Sequence, residues 1–386
     1  MLSSERFTVA PPGTIEFGEG ALQTLGAAVT SLGRTRAFVV TDAGIVRAGI
    51  VASVEQVLTD SRVDFEVFSE VEPNPSMSTV DRAGELARRF GDAVVVAVGG
   101  GSSLDAAKAV ALAAVNSGSA ADLDVAAGTA VAGLPVVAVP TTAGTGAETN
   151  GFGVIQDTAA HCKVYVGDAS VAPRVSILDP ALTIGLPPAA TAATGVDALV
   201  HAVESLTSRG RNPLSEAYAR HAVRLVGRWL PVAVADGSNR EARAQMLLGS
   251  HLAGLALSRS GLGLVHGIAH AVTAYTGAVH GVALAAVLEG VLEHNLPTST
   301  PQYAAIAGDL GVDRTDAGEE TNARAAIAAC RDLTEQTSVR TTLTALGCAP
   351  DLVPELARTA LADPVTRNTP RMPTDEALRE LLTAAL

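Results

Sequence analysis

The stretch "VVVAVGGGSSLDAAK", residues 94–108, decides how the rest of the chain is read. Its first residues are apolar and mostly β-branched, the pattern of a strand buried on both faces. Three glycines follow, and "SSLDAAK" then opens a helical pattern. Glycines directly after a buried strand carry no Cβ, so backbone N–H groups can approach an anion, and the helix points its positive end the same way. The segment reads as a phosphate cradle. It is neither Gly-x-Gly-x-x-Gly nor a P-loop, so the common dinucleotide fingerprint and the P-loop NTPases are both set aside.

Short β-branched runs recur around it: "AFVVTD" (37–42), "DFEVF" (64–68), "LPVVAVPTT" (134–142) and "VSILD" (175–179). Alanine-rich helical patterns such as "STVDRAGELARRF" lie between them. This alternation predicts an α/β fold with a doubly wound parallel sheet, whose ligand sits at the C-terminal ends of the strands. In "VAVPTTAGTGAETN" (137–150) a second strand ends in hydroxyl and glycine residues, so two neighbouring loops could hold the two ends of one extended ligand, as a dinucleotide requires. After "LPPAATAATG" the strand signal vanishes and the chain reads as helices to its end. Two domains are therefore expected, an α/β one over 1–182 and an all-α one over 183–386, with a cleft between them.

Composition narrows the function. The formal net charge is −13 with no Lys/Arg run, which argues against nucleic acid or an anionic membrane as partner. Cys162, Cys330 and Cys348 are scattered and outside CxxC spacing, which indicates neither a disulfide framework nor a thiolate cage. The N-terminal "MLSSERFTVAPPGT" has no signal-peptide pattern, and the expected compartment is the reducing cytoplasm. Basic residues are almost all Arg. The only two lysines, Lys108 and Lys163, mark places where a compact ammonium is specifically needed.

The helical half contains the chemistry. Asp197 and His201 in "TGVDALVHAVES" are four apart, on one helical face and able to bind one ion together. His266 and His270 in "HGIAH" are likewise four apart, and His280 follows a turn-like "TGA". One carboxylate with imidazoles suits a borderline divalent ion, iron or zinc. His161, His221, His251 and His294 read as ordinary core or surface residues.

Taken together, "GGGSSLDAAK", "PTTAGTGAE", "GVDALVHAVES" and "GLGLVHGIAHAV…HG" resemble, in order and separation, the motifs of the iron-containing (group III) alcohol dehydrogenases, nearly along the whole chain. The resemblance implies a Rossmann-like N-terminal domain and an all-α C-terminal domain, the dehydroquinate-synthase-like architecture. It implies Asp197, His201, His266 and His280 as metal ligands, with Fe2+ ahead of Zn2+, and His270 as a proton-relaying imidazole beside the nicotinamide. On the cofactor side it implies Gly100, Gly101 and Ser102 at the pyrophosphate, with Thr141, Thr142, Thr145, Asn74, Lys163 and Leu182 around them. Asp42 would repel a 2′-phosphate and so favour NAD(H) over NADP(H). The implied reaction is hydride transfer between nicotinamide and a small aldehyde or alcohol, and a homodimer is expected on base rates.

Departures from the family pattern bear on the substrate. "AGLALSRSGLG" has Leu257 where an aromatic is common and Arg259 where an amide is common, and "HGVALA" has Leu284 where an Asn is common. If the helix through Arg259 runs on to His266, its guanidinium could clamp the carboxylate or phosphonate of an anionic aldehyde. A maleylacetate-type oxo-acid reductase is the runner-up within the family, and Asp197 at the first metal position argues against it. A dehydroquinate-synthase-like lyase would need several basic residues in the site, which two lysines do not supply. A binding protein that had lost catalysis would be expected to lack ligands, and none of the four is missing.

Overall fold

The computed structural model describes residues 7–8, 13–125, 128, 131–158, 160, 162–312, 316 and 318–386. Most of the N-terminal stretch read for an export signal, and His161, lie outside the described residues. The strands are β1 (Thr14–Phe17), β2 (Arg36–Val40), β3 (Asp64–Phe68), β4 (Val94–Gly99), β5 (Val136–Pro140), β6 (Phe152–Asp157), β7 (Cys162–Gly167) and β8 (Val175–Leu178). Six of them form a wholly parallel sheet in the order β1-β8-β5-β4-β2-β3. β6 and β7 form a separate antiparallel pair.

Helices α1 (Leu25–Ser31) and α3 (Ile50–Asp60) cover the sheet face that carries Val39, Val96 and Val137. Helices α4 (Met77–Phe90) and α5 (Gly101–Ala113) cover the opposite face, with Val40, Val95 and Ala138. A short helix, α2 (Ala43–Arg47), follows β2 directly. Burial on both faces is why these strands read as unbroken apolar runs. The chain leaves β2 toward one face and β4 toward the other, so a crevice opens between their C-terminal ends, where a doubly wound sheet takes its ligand.

From Pro188 onward the described residues form helices and no strand: α6 (Pro188–Thr207), α7 (Pro213–Ala235), α8 (Arg240–Ser260), α9 (Leu264–Thr276), α10 (His280–Asp309), α11 (Glu319–Gln336), α12 (Val353–Ala362) and α13 (Asp375–Ala384). They share a third apolar core built around Leu199, Val223, Ile268 and Leu284. Among the described residues no single helix is long and apolar enough to cross a membrane.

Two glycine features shape the space between the sheet and the helices. Gly261 has φ +72°, ends α8, and lets α9 leave at 103° to it. The continuous helix from Arg259 to His266 on which a substrate role for Arg259 depended is therefore broken. Gly146, at φ +59° in the loop after β5, packs against α8, where a Cβ added at Gly254 would lie 2.8 Å from the Gly146 Cα.

Candidate functional site

Asp197 and His201 stand one turn apart on α6, both buried, with His201 Nε2 3.3 Å from Asp197 Oδ1. The bend before α9 carries His266 to the same point, its Nε2 3.4 Å from that oxygen, and the first residue of α10 brings His280 Nε2 to 3.7 Å. The ligand atoms of Asp197, His201 and His266 all lie within 4.8 Å of one another. His201 and His266 stack, with ring centroids 4.7 Å apart. Asp197 Oδ1 and His266 Nε2 are buried and have no hydrogen-bond partner, which ordinarily costs about 1–3 kcal/mol per group. A divalent ion would remove that cost at a stroke, so the donor set fits a metal.

The charges agree. Burial opposes ionisation of Asp197, yet the surrounding imidazoles, His201 foremost, hold its carboxyl well below the usual range. Burial pushes His201 down to about 4 and His280 well below its ordinary value, so both favour the neutral form that binds metal. His266 goes the other way: burial works against it, but the Asp197 and Glu204 carboxylates raise it to about 9.

Outer contacts orient these rings. His266 Nδ1 lies 2.6 Å from Glu204 Oε2, and the same carboxylate accepts the N–H groups of Gly263 and Val265. His201 Nδ1 is 3.2 Å from the Gly144 carbonyl, which ties α6 to the loop after β5. Such partners fix the tautomer and aim of a ligating imidazole. Sequence reading missed Glu204, although its place three residues after His201 puts it on the same helical face.

His270 lies beside the cluster without joining it, stacked on His280 at 5.4 Å between centroids. Its Nδ1 is 2.8 Å from Asp363 Oδ2. Tyr165 of β7 donates its hydroxyl to Asp363 Oδ1 at 3.2 Å and lies 3.4 Å from the same Nδ1. Neither Tyr165 nor Asp363 carries a local sequence signal that connects it to His270.

The cluster closes the inner end of a cleft of about 370 Å³ that runs to the N-terminus of α5. Asn74, Gly101, Ser102, Thr145 and Lys163 line that cleft, and His201, His266, His270 and His280 continue it. The N-cap of α5, Gly100, has no side-chain cap, which leaves first-turn N–H groups for an anion. Gly99, at φ +147°, makes the turn into the helix, and a Cβ there would strike Ser103. Thr142 and Thr145 pack over Gly100 and Gly101, so the two loops form one unit. Lys163 donates to Asn74 Oδ1 at 2.7 Å, and its burial brings the ammonium down to about 8.

Asp42, Thr141, Thr142 and Leu182 do not line this cleft but follow the C-terminal ends of β2, β5 and β8, along the same sheet edge. Asp42 caps α2 through the N–H groups of Gly44 and Ile45, and accepts the hydroxyl of Ser103 at 2.9 Å. Of the two lysines, Lys163 faces the cleft. Lys108 is buried and bonded to the Ala147 carbonyl, Asn150 and Asp105, pinning α5 to the loop after β5. His251 pairs with buried Glu148, and His294 with the Arg371 carbonyl, away from the cluster.

Arg259 departs from expectation. It is absent from the cleft lining, donates to the Leu255 carbonyl, and sits over the Tyr218 ring at 5.4 Å. The reason is helical phase: Leu257 and Ser258 present one face of α8 to the cleft, and Arg259 the next one, against Tyr218 of α7. The break at Gly261 removes the continuous helix that would have aligned it with His266. The side chains from this segment that do reach the cleft are Leu257, Ser258 and Leu262.

Comparisons with known proteins agree with this geometry. Residues 12–180 match the family described as iron-containing alcohol dehydrogenase, and residues 191–386 match the Fe-containing alcohol dehydrogenase family, C-terminal. The chain is 36% identical over 389 residues to the 1,3-propanediol dehydrogenase of Klebsiella pneumoniae, covering 100% of both. It superposes on a crystal structure of 1,3-propanediol oxidoreductase with a TM-score of 0.95 at 35% identity, covering 99% of this chain and 100% of that one. Sulfoacetaldehyde reductase from Bifidobacterium kashiwanohense, solved in complex with NAD+, gives a TM-score of 0.87 at 31% identity over 99% of each chain. The protein is thus an oxidoreductase, and the chain belongs to the iron-containing alcohol dehydrogenase family.

Proposed function

We propose that this chain is a metal-dependent, NAD(H)-linked alcohol dehydrogenase or aldehyde reductase whose ion is held by Asp197, His201, His266 and His280. The observation that carries the reading is the pair of buried, unbonded atoms, Asp197 Oδ1 and His266 Nε2, facing each other at 3.4 Å at the inner end of the cleft. Fe2+ is the proposed ion and Zn2+ the alternative, on the chemistry of one carboxylate with imidazoles. When bound, the ion supplies Lewis-acid polarisation of a substrate oxygen, and the nicotinamide supplies or takes up hydride.

The chain's own residues do the rest. The helix N-terminus at Gly100, Gly101 and Ser102 holds the cofactor's pyrophosphate, with Thr141, Thr142 and Thr145 beside it. Asn74, Lys163 and Leu182 make further contacts to the cofactor, and Asp42 disfavours a 2′-phosphate. His270 moves the proton of the substrate hydroxyl through Nε2, accepting it in alcohol oxidation and returning it in aldehyde reduction. Phe152, Leu257, Leu262 and Val365 wall off water around the reacting carbon.

The lining favours a small uncharged aldehyde or alcohol, because Arg259 points away and Lys163 is the one Lys or Arg among the lining residues. An anionic aldehyde is the second reading, favoured by the likeness to sulfoacetaldehyde reductase. The domain division at 182/183 belongs to this proposal. So do a homodimer, for which the exposed Ile15 and Phe17 on edge strand β1 offer a face, and a reducing cytoplasmic setting, in keeping with free Cys162, Cys330 and Cys348.

The test is NADH oxidation by the iron-loaded enzyme with neutral and anionic aldehydes of equal length. Turnover should vanish on chelation and return with Fe2+. Full turnover in metal-free protein overturns the reading.

A further inference from the structure

Imidazole has two nitrogens, and in His270 one of them is committed. Nδ1 faces the carboxylate of Asp363 at 2.8 Å and the hydroxyl of Tyr165 at 3.4 Å, which leaves Nε2 as the nitrogen for the cleft that the ring lines. We propose that Asp363 is the positioning residue of His270: it holds the proton on Nδ1, fixes the ring against rotation, and keeps the Nε2 lone pair aimed at the substrate hydroxyl. The inference rests on the reading of His270 as the group that moves the substrate proton.

The arrangement is built from three separate parts of the chain. His270 comes from α9, Tyr165 from β7, and Asp363 from the turn after α12. Asp363 is itself held, since its Oδ1 accepts the Val365 N–H at 3.0 Å and the Tyr165 hydroxyl at 3.2 Å, while Oδ2 is left for His270. Its side chain and that of His270 are each only 9% exposed, so water competes weakly for the bond. Burial alone would raise the Asp363 carboxyl, but the His270 contact, the Val365 N–H and the Tyr165 hydroxyl together lower it, so it stays an acceptor. Carboxylate, imidazole and reacting hydroxyl then stand in the relation that orients the base of hydrolytic triads, here in the service of hydride transfer.

Asp363→Asn tests this cleanly. The amide oxygen can still accept from Val365 and Tyr165, preserving the turn, while the amide N–H2 now faces Nδ1 and forces the proton onto Nε2. Kinetics and metal content are measured on the iron-loaded enzyme and the 15N spectrum on its zinc-loaded, diamagnetic form, beside His270→Gln and Asp363→Glu. The kcat for aldehyde reduction should fall at least about tenfold, with metal content and the KM for NADH unchanged and partial recovery in Asp363→Glu. The 15N histidine spectrum, in which His270 is recognised by its loss in His270→Gln, should change from the Nδ1–H to the Nε2–H tautomer. Tyr165→Phe should lower kcat by only about two- to tenfold and leave the tautomer in place. An unchanged tautomer in Asp363→Asn overturns the inference, as does unchanged kcat or metal loss that matches the loss of turnover. If His270→Gln keeps full turnover, the proton role of His270 itself fails; if it loses turnover and Asp363→Asn does not, only the role of Asp363 fails.

Discussion

Glu204 faces His266 across 2.6 Å while its two oxygens also gather the N–H groups of Gly263 and Val265. One carboxylate thus closes the start of α9 and aims the ring that this helix carries. In Glu204→Gln the acceptor for Nδ1 is weakened and the ring gains a second tautomer. Metal affinity should drop about 10- to 100-fold, measured by chelator competition, and excess metal should restore turnover. Unaltered affinity would show that His266 is aimed by packing alone.

Removing a proposed ligand should act more severely. His266→Ala and His280→Ala should each lower bound metal and turnover together, while NADH binding, followed by fluorescence, persists. His266 is almost fully buried and the His280 side chain is 32% exposed, so water can replace the second more easily. The loss should therefore be larger for His266→Ala, and full metal content in both variants would refute the assignment.

Lys163 gives a pH signature. Burial lowers its ammonium to about 8, so the positive charge proposed to support cofactor binding is present below that pH and is lost as pH rises through it. The KM for NADH should climb above pH 8 in the native enzyme. Lys163→Met should raise that KM about tenfold at pH 7 and flatten its rise, on the scale of one charged hydrogen bond.

Asp42 has two occupations, as cap of α2 and as acceptor for Ser103. Asp42→Gly should cost about 1–3 kcal/mol in unfolding experiments: glycine is tolerated at an N-cap, but the hydroxyl of buried Ser103 loses its acceptor. The ratio of kcat/KM for NADH over NADPH should shrink at the same time. A faster reaction of native enzyme with NADPH would remove Asp42 from the specificity argument.

Arg259→Asn should change the KM for neutral and anionic aldehydes by the same small factor, because the guanidinium rests on Tyr218 outside the cleft. A selective rise for the anionic compound would mean that the side chain swings inward during turnover.

What the sequence made legible follows burial. The central strands could be read because both of their faces are covered, and the cluster because Asp197 and His201 are one helical turn apart. β1 was missed because it is a short edge strand with two exposed faces, and β6 and β7 because polar Gln156, Asp157 and Lys163 interrupt their alternation. Arg259 was placed in the cleft only on the condition that a helix crosses Gly261, and that condition is not met. Asp363 and Tyr165 were out of reach for a different reason: their partnership is 198 residues long and exists only after the β6–β7 pair and the turn after α12 meet at α9.

The contact of Gly146 with Gly254 sets a tolerance for the whole molecule. One glycine belongs to the loop of Thr145, and the other lies one turn before the residues that wall the reacting end, Leu257 and Ser258. With no side chain on either, the two segments behave as a pin in a fitted socket. A single methyl at Gly254 would have to displace the Gly146 backbone and Thr149, each 2.8 Å away. If the proposed cofactor and substrate sites hold, the width of the substrate opening is gauged by the seat of the dinucleotide, and a lineage that altered one would have to recut the other.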